Sequence, residues 1–139
     1  MRIDADKFTA ITVGERDGRI TRVGFILRKY KLDELAQLFN VLKGEMSLVG
    51  PRPELKRFVD LYQGEEKKVI GIKPGITDYA SIQFSNENEL LSDKADPVGY
   101  YVKEIMPVKL ALNLKYIREQ SFLLDIKIIF QTLFLIIRK

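Results

Sequence analysis

The 139-residue chain contains no cysteine and no histidine. Without cysteine there is no disulfide frame, thiolate nucleophile, zinc finger or iron–sulfur site. Without histidine, the Ser-His-Asp triad, Cys-His proteases, zinc hydrolases and every mechanism with an imidazole base are excluded. Any catalysis must use carboxylates, lysine, arginine, tyrosine, hydroxyls or a metal held by oxygen. Long apolar runs are also scarce. The N-terminal residues carry charge with no apolar stretch behind them, so no secretory signal is expected. The longest apolar tract, residues 122–137, is interrupted by Asp125, Lys127, Gln131 and Thr132. A spanning helix wants roughly 20 nearly uninterrupted apolar residues, so this tract is not expected to cross a bilayer.

What is present fits one domain over residues 1–139, with enough apolar residues, 46%, to bury a core. The formal charge of +4 is unevenly placed. Residues 1–31 hold eight basic groups (Arg2, Lys7, Arg16, Arg19, Arg22, Arg28, Lys29, Lys31) against four acids (Asp4, Asp6, Glu15, Asp17), and the remainder balances. A basic field just upstream of Asp33-Glu34 suits a phosphorylated ligand, nucleic acid or an anionic membrane; a solvated basic edge explains it as well.

The periodicity predicts mostly helix with a little sheet. Residues 8–14 alternate weakly, are rich in β-branched residues and read as a short strand. Leu35, Leu38, Phe39 and Leu42 mark one face of an amphipathic helix over residues 32–43, stopped by Gly44. Pro51-Arg52-Pro53 forces a rigid turn. A helix is expected over residues 54–63, a type II turn centred on Pro74-Gly75, and a strand over residues 76–84. Residues 97–104 and 107–119 read as two helices, each opened by proline, and Ser121 as the N-cap of the last helix. The Glu65-Glu66-Lys67-Lys68 run reads as a solvated face.

Three places could carry chemistry. Asp33 and Glu34 fall in a first helical turn, where free N–H groups and the helix dipole keep carboxylates ionised. Such an aspartate can be a nucleophile and its neighbour can hold magnesium, although acids are common there for the dipole alone. Arg28 and Arg52 flank the pair in sequence, and arginine offers a planar fork of donors matched to phosphate oxygens. The prolines around Arg52 are equally consistent with a structural corner. In the last helix Asp125 and Thr132 share one face, seven residues apart. The apolar content of that helix exceeds what a one-sided surface helix needs. Either it is buried nearly all round, or one side meets lipid while Asp125 and Thr132 face protein; composition slightly favours the buried helix.

Several segments follow one another in a recognisable order: Arg19-Ile20-Thr21-Arg22-Val23-Gly24, Leu27-Arg28-Lys29, Leu32-Asp33-Glu34-Leu35, Gln37-Leu38 and Asn40-Val41-Leu42-Lys43-Gly44. Met46-Ser47-Leu48-Val49-Gly50-Pro51-Arg52-Pro53-Glu54 completes the block, and Lys73-Pro74-Gly75-Ile76-Thr77 comes later. This series resembles the bacterial sugar transferases, the monotopic polyprenyl-phosphate phosphoglycosyl transferases. The likeness is dense over residues 19–54 and patchier as far as residue 132.

The resemblance implies an α+β fold, predominantly helical with a small β element and amphipathic helices on a membrane surface. It implies transfer of a sugar-1-phosphate from a UDP-sugar to undecaprenyl (polyprenyl) phosphate with release of UMP, at the cytoplasmic face of the bacterial inner membrane. Asp33 would be the nucleophile that forms an aspartyl-phosphosugar intermediate. Glu34 would help hold Mg2+, Arg28 and Arg52 would bind phosphate, and Asp125 would support the site. Phosphoryl transfer depends on positioning and charge neutralisation more than on proton relays, so the missing histidine is no obstacle.

The chain departs from the family pattern at Lys31, where a hydroxyl residue is usual, at Ala36, where proline is usual, and at Asp78, where glycine is common. The family also carries a membrane-inserted hairpin and a strand upstream. The chain is therefore expected to be a catalytic-domain fragment lacking its main anchor, and exposed apolar surface along the last helix would favour association between copies. A non-catalytic membrane-surface scaffold with the same fold is the alternative. Nucleic acid is not an expected partner, because the basic segment lacks interleaved aromatic platforms and any recognised motif.

Overall fold

The computed structural model describes residues 37–52 and 54–138. The strand expected over residues 8–14, together with Arg28, Asp33 and Glu34, lies outside them. The described elements run α1 (Gln37–Leu42), β1 (Ser47–Val49), α2 (Lys56–Val59), a 3-10 helix (Gly64–Gly71), β2 (Gly75–Thr77), α3 (Tyr79–Gln83), α4 (Glu87–Ser92), α5 (Pro97–Tyr100), a π-helical segment (Tyr101–Ile105), α6 (Met106–Glu119) and α7 (Phe122–Arg138). The architecture is α+β and predominantly helical, as expected. No helix among the described residues is long and apolar enough to cross a membrane.

The first helix ends as its sequence requires. Gly44 takes a φ of 77°, a left-handed conformation that costs a residue without Cβ little, and its N–H bonds the Val41 carbonyl at 2.9 Å. The chain then enters β1, which pairs in parallel with β2 in the register Ser47 to Gly75 and Val49 to Thr77. Beyond β1 the backbone passes very close to Gly75. A Cβ on Gly75 would overlap the backbone of Gly50 and Val49, and one on Gly50 would meet the Lys73 carbonyl. Gly75 is therefore needed for close approach and has no positive φ. The type II turn expected at Pro74-Gly75, which requires φ above zero at its second central residue, does not form.

Two other expectations change. The strand expected over residues 76–84 stops at Thr77, because Asp78 caps a helix: its side chain accepts from the Ser81 N–H, and residues Tyr79–Gln83 coil. The two proline-led helices are one continuous rod from Pro97 to Glu119. Pro107 cannot donate a hydrogen bond and crowds the preceding turn. The rod widens just before it, where the Met106 N–H bonds the Tyr101 carbonyl five residues back. The helix expected over residues 54–63 keeps one α-helical turn, then continues in tighter bonds from Leu61 to Phe58 and Tyr62 to Val59. The 65–68 run is mostly exposed, but Glu66 also accepts from the Gln63 N–H and closes a capping box.

Burial divides into two clusters. The larger gathers Phe58, Tyr62, Val69, Leu91, Tyr101, Ile105, Met106 and Leu110 between the rod and the segments before it. The smaller joins Val49, Tyr116 and Ile128 beneath the sheet, with Tyr79, Ile82, Leu124 and Ile129 packed around them. The C-terminal helix lies against β1, β2 and α3. Ser121 begins it as expected, accepting the Leu124 N–H on its hydroxyl.

Candidate active site

The site is built around the end of β1, where Gly50-Pro51 leads into Arg52. Backbone bonds hold this turn on β2: the Gly50 N–H donates to the Thr77 carbonyl at 3.0 Å, and the Gly75 N–H donates to the Pro51 carbonyl at 3.2 Å. Pro51 is buried, whereas Arg52 is exposed. Of the turn expected from sequence, Pro53 lies outside the described residues; Pro51 is held at its base and Arg52 is carried outward.

Carboxylates hold both ends of this turn. On one side Asp78, buried to 1% exposure, accepts the Arg52 N–H on Oδ2 at 3.3 Å and the Ser81 N–H on Oδ1 at 2.6 Å. On the other side Glu54 accepts the Tyr101 hydroxyl at 2.5 Å and lies 3.4 Å from the Lys109 ammonium. Lys109 also pairs with Glu87 at 2.6 Å, and its ammonium stands 5.0 Å from the centre of the Tyr101 ring. All three charged side chains of this network are largely covered, Lys109 to 17% exposure. Burial, with the Glu54 charge second, pushes the Tyr101 hydroxyl far above its ordinary range, so it stays a donor. Burial likewise pushes Tyr62 up to about 12, with Glu54 and Glu66 adding to the shift.

Asp125 reaches the site through Tyr116. The Tyr116 hydroxyl donates to Asp125 Oδ1 at 2.8 Å and lies 3.3 Å from the carbonyl oxygen of Val49, the last residue of β1. Burial raises the Tyr116 pKa, and the bond to Asp125 raises it further. One helical face carries Asp125, Ile128 and Thr132 inward, as their spacing predicts. Thr132 donates to the Ile128 carbonyl at 2.9 Å, so at the 2.6 Å contact between Thr77 and Thr132 the proton belongs to Thr77.

The remainder of that helix does not follow the buried arrangement that composition favoured. Ile128 is its only fully buried residue, while Phe122, Leu123, Phe130, Leu133, Phe134 and Ile137 are exposed. The arrangement is the other one considered, with the polar pair facing protein and the apolar side facing out. Lys127, Gln131 and Arg138 are exposed along one edge of that apolar side.

Of the five site residues expected from sequence, Arg52 and Asp125 are thus tied to one strand end, Asp125 indirectly. Sequence reasoning assigned no role to Tyr116, Tyr101, Lys109 or Glu87, which lie 35 to 64 residues from Arg52 along the chain. No local spacing connects them to the turn. Asp78 did carry a local signal, an N-cap residue type three positions before Ser81.

The profile of a family described as bacterial sugar transferase matches residues 1–139. A Komagataeibacter xylinus protein named undecaprenyl-phosphate glucose phosphotransferase is 40% identical over 137 residues, covering 94% of this chain and 23% of its own. The UDP-glucose:undecaprenyl-phosphate glucose-1-phosphate transferase of Escherichia coli (strain K12) is 38% identical over 128 residues, 86% of this chain and 24% of that protein. An Aeromonas hydrophila protein named UDP-N-acetylgalactosamine-undecaprenyl-phosphate N-acetylgalactosaminephosphotransferase is 38% identical over 120 residues, covering 84% of this chain and 25% of the relative. The chain spans less than half the length of the curated relatives it matches. With its motif block continuous through Arg52 and its whole length matched by the family profile, the chain belongs to the bacterial sugar transferase family.

Proposed function

We propose that this domain transfers a sugar-1-phosphate from a UDP-sugar to undecaprenyl phosphate through a covalent intermediate on Asp33. The observation that carries the reading is the family match along the whole chain, with relatives whose names state undecaprenyl-phosphate sugar phosphotransfer. In the first displacement an Asp33 carboxylate oxygen attacks the sugar-linked phosphorus. The bond from that phosphorus to the bridging oxygen breaks, and UMP leaves with the electron pair. In the second, an oxygen of the lipid phosphate attacks the same phosphorus and the carboxylate departs unchanged. Neither displacement needs a proton relay, which suits a chain without histidine.

Arg52 supports this reading by presenting a charged donor fork from a fixed turn, and Arg28 would add a second. Among the described residues no group of three His, Cys, Asp or Glu side chains could hold a metal ion. The proposed Mg2+ draws on Glu34, whose oxygens suit a hard cation. When bound, it would neutralise diphosphate charge. The exposed apolar side of α7, edged by Lys127 and Arg138, supports seating on an anionic membrane surface, here the cytoplasmic face of the inner membrane.

Intact-mass measurement tests the proposal. Incubation of the chain with a UDP-sugar and Mg2+ should add one phosphosugar, and Asp33→Asn should abolish both the adduct and UMP release. Normal UMP release by the Asp33→Asn variant would remove Asp33 as nucleophile. An unmodified wild-type chain across a panel of UDP-sugars would instead favour the scaffold.

A further inference from the structure

We propose that Asp78 is a positioning residue, fixing the backbone of Arg52 so that its guanidinium is presented to a phosphate of the nucleotide-sugar donor. The proposal rests on the reading of Arg52 as a phosphate ligand given above. Its structural basis is the placement of the two oxygens of Asp78. Oδ1 takes the Ser81 N–H at 2.6 Å and caps α3. A cap needs only one acceptor, and serine or threonine would supply it. Oδ2 is placed 3.3 Å from the Arg52 amide nitrogen, 26 residues earlier in the chain.

At 1% exposure, the second oxygen has lost water and must be repaid by a protein donor. That donor is the Arg52 N–H. A carboxylate at this position therefore serves a purpose that capping does not require.

The surrounding bonds show what this contact adds. Gly50 and Pro51 are already bonded to β2, and Glu54 is anchored by Tyr101 and Lys109. Between these anchors, Asp78 holds the peptide that carries the exposed arginine. With the backbone fixed, anion binding does not have to order the turn, and affinity keeps what would otherwise be lost in doing so. Substituting Asp78 should weaken donor binding through Arg52 without removing any group that touches donor.

The test uses Asp78→Ser, which keeps a cap acceptor for Ser81 but has no second oxygen for Arg52, in the full 139-residue chain. Asp78→Asn is the second variant, since its amide can accept from Ser81 while turning an N–H donor toward Arg52. Hydrogen exchange is read at two amides in each sample. Arg52 should exchange about fivefold faster or more, while Ser81 keeps its protection. UDP-glucose affinity is then measured by calorimetry in a cycle with Arg52→Ala. Asp78→Ser should weaken binding about tenfold in the wild-type background and have no further effect beside Arg52→Ala.

Unchanged Arg52 exchange in both variants overturns the proposal. So does faster exchange with unchanged affinity when Arg52→Ala alone weakens binding; the phosphate reading of Arg52 then survives and the positioning role does not. If Arg52→Ala itself leaves affinity unchanged, the phosphate reading fails and takes the positioning role with it. If one variant unfolds, the other decides, with Ser81 as the internal control for the cap.

Discussion

The last two helices, α6 and α7, are neighbours in sequence and opposites in how they meet water. Over its 14 residues α6 mixes charge with apolar groups, yet it buries Met106, Leu110, Asn113 and Tyr116. Over its 17 residues α7 is far more apolar, yet it buries only Ile128. Its inward face carries Asp125 and Thr132, bonded to Tyr116 and Thr77, and much of its apolar side is exposed. Apolar content alone therefore does not say which side of a helix is the core side. In α7 a few polar groups with partners across the sheet decide the orientation. Much of the apolar remainder of α7 is exposed.

The contrast is broken most severely by damaging the α6 side. Leu110 is 3% exposed within the larger core, so Leu110→Ala should cost about 2–5 kcal/mol, read as a lower midpoint in urea unfolding. A cost below about 1 kcal/mol would show that the site collapses around the missing atoms. It would also show α6 to be less of a core helix than its burial indicates.

Next in size is the polar contact that orients α7. Asp125→Ala removes the acceptor 2.8 Å from a Tyr116 hydroxyl in a residue only 1% exposed. The orphaned hydroxyl should cost about 1–3 kcal/mol, leaving the Val49 carbonyl as its nearest remaining acceptor. Removing both groups, in Tyr116→Phe with Asp125→Ala, should recover part of the loss. Strict additivity in that cycle would mean that the bond does not orient the helix.

How much of this was readable in the sequence follows from the range of each interaction. The Gly44 stop, the Ser121 cap, the Pro51-Arg52 turn and the shared face of Asp125 and Thr132 depend on neighbours within a turn or two, and each appears as expected. The strand expected over residues 76–84 forms at the β-branched Ile76-Thr77 and stops there because Asp78 caps a helix. Pro107 was misread because a widened π turn can absorb a proline within a rod. The partners of Glu54 were not legible at all, since Tyr101 and Lys109 lie 47 and 55 residues beyond it. Asp33, Glu34 and Arg28 were singled out by their motif, and they lie outside the described residues.

A pH titration probes the larger core in another way. Tyr62 belongs to the larger core, and its pKa is raised from 10.0 to about 12. The folded state thus holds that proton more tightly than the unfolded chain. Its stabilising share is complete below pH 10 and is lost as pH rises towards 12. Tyr62→Phe should flatten that part of the alkaline stability profile relative to wild type. An unchanged slope between pH 10 and 12 would assign the alkaline loss to other groups.

The smallest expected effect on folding falls on the outward side of α7, and there it says most about the comparison. Phe130 and Phe134 are each 66% exposed, so replacing both with serine removes little buried area. Stability should change by no more than about 0.5 kcal/mol per site, since serine and phenylalanine have similar helix propensity. Sedimentation with vesicles containing anionic lipid should fall in the double variant, while Leu110→Ala, assayed below its unfolding midpoint, should still sediment. That crossed result would mark one helix as a core element and the other as an interface. If the double variant instead lost several kcal/mol and kept its vesicle binding, the outward side of α7 would be covered by protein in solution. The buried arrangement suggested by its composition would then be the correct one.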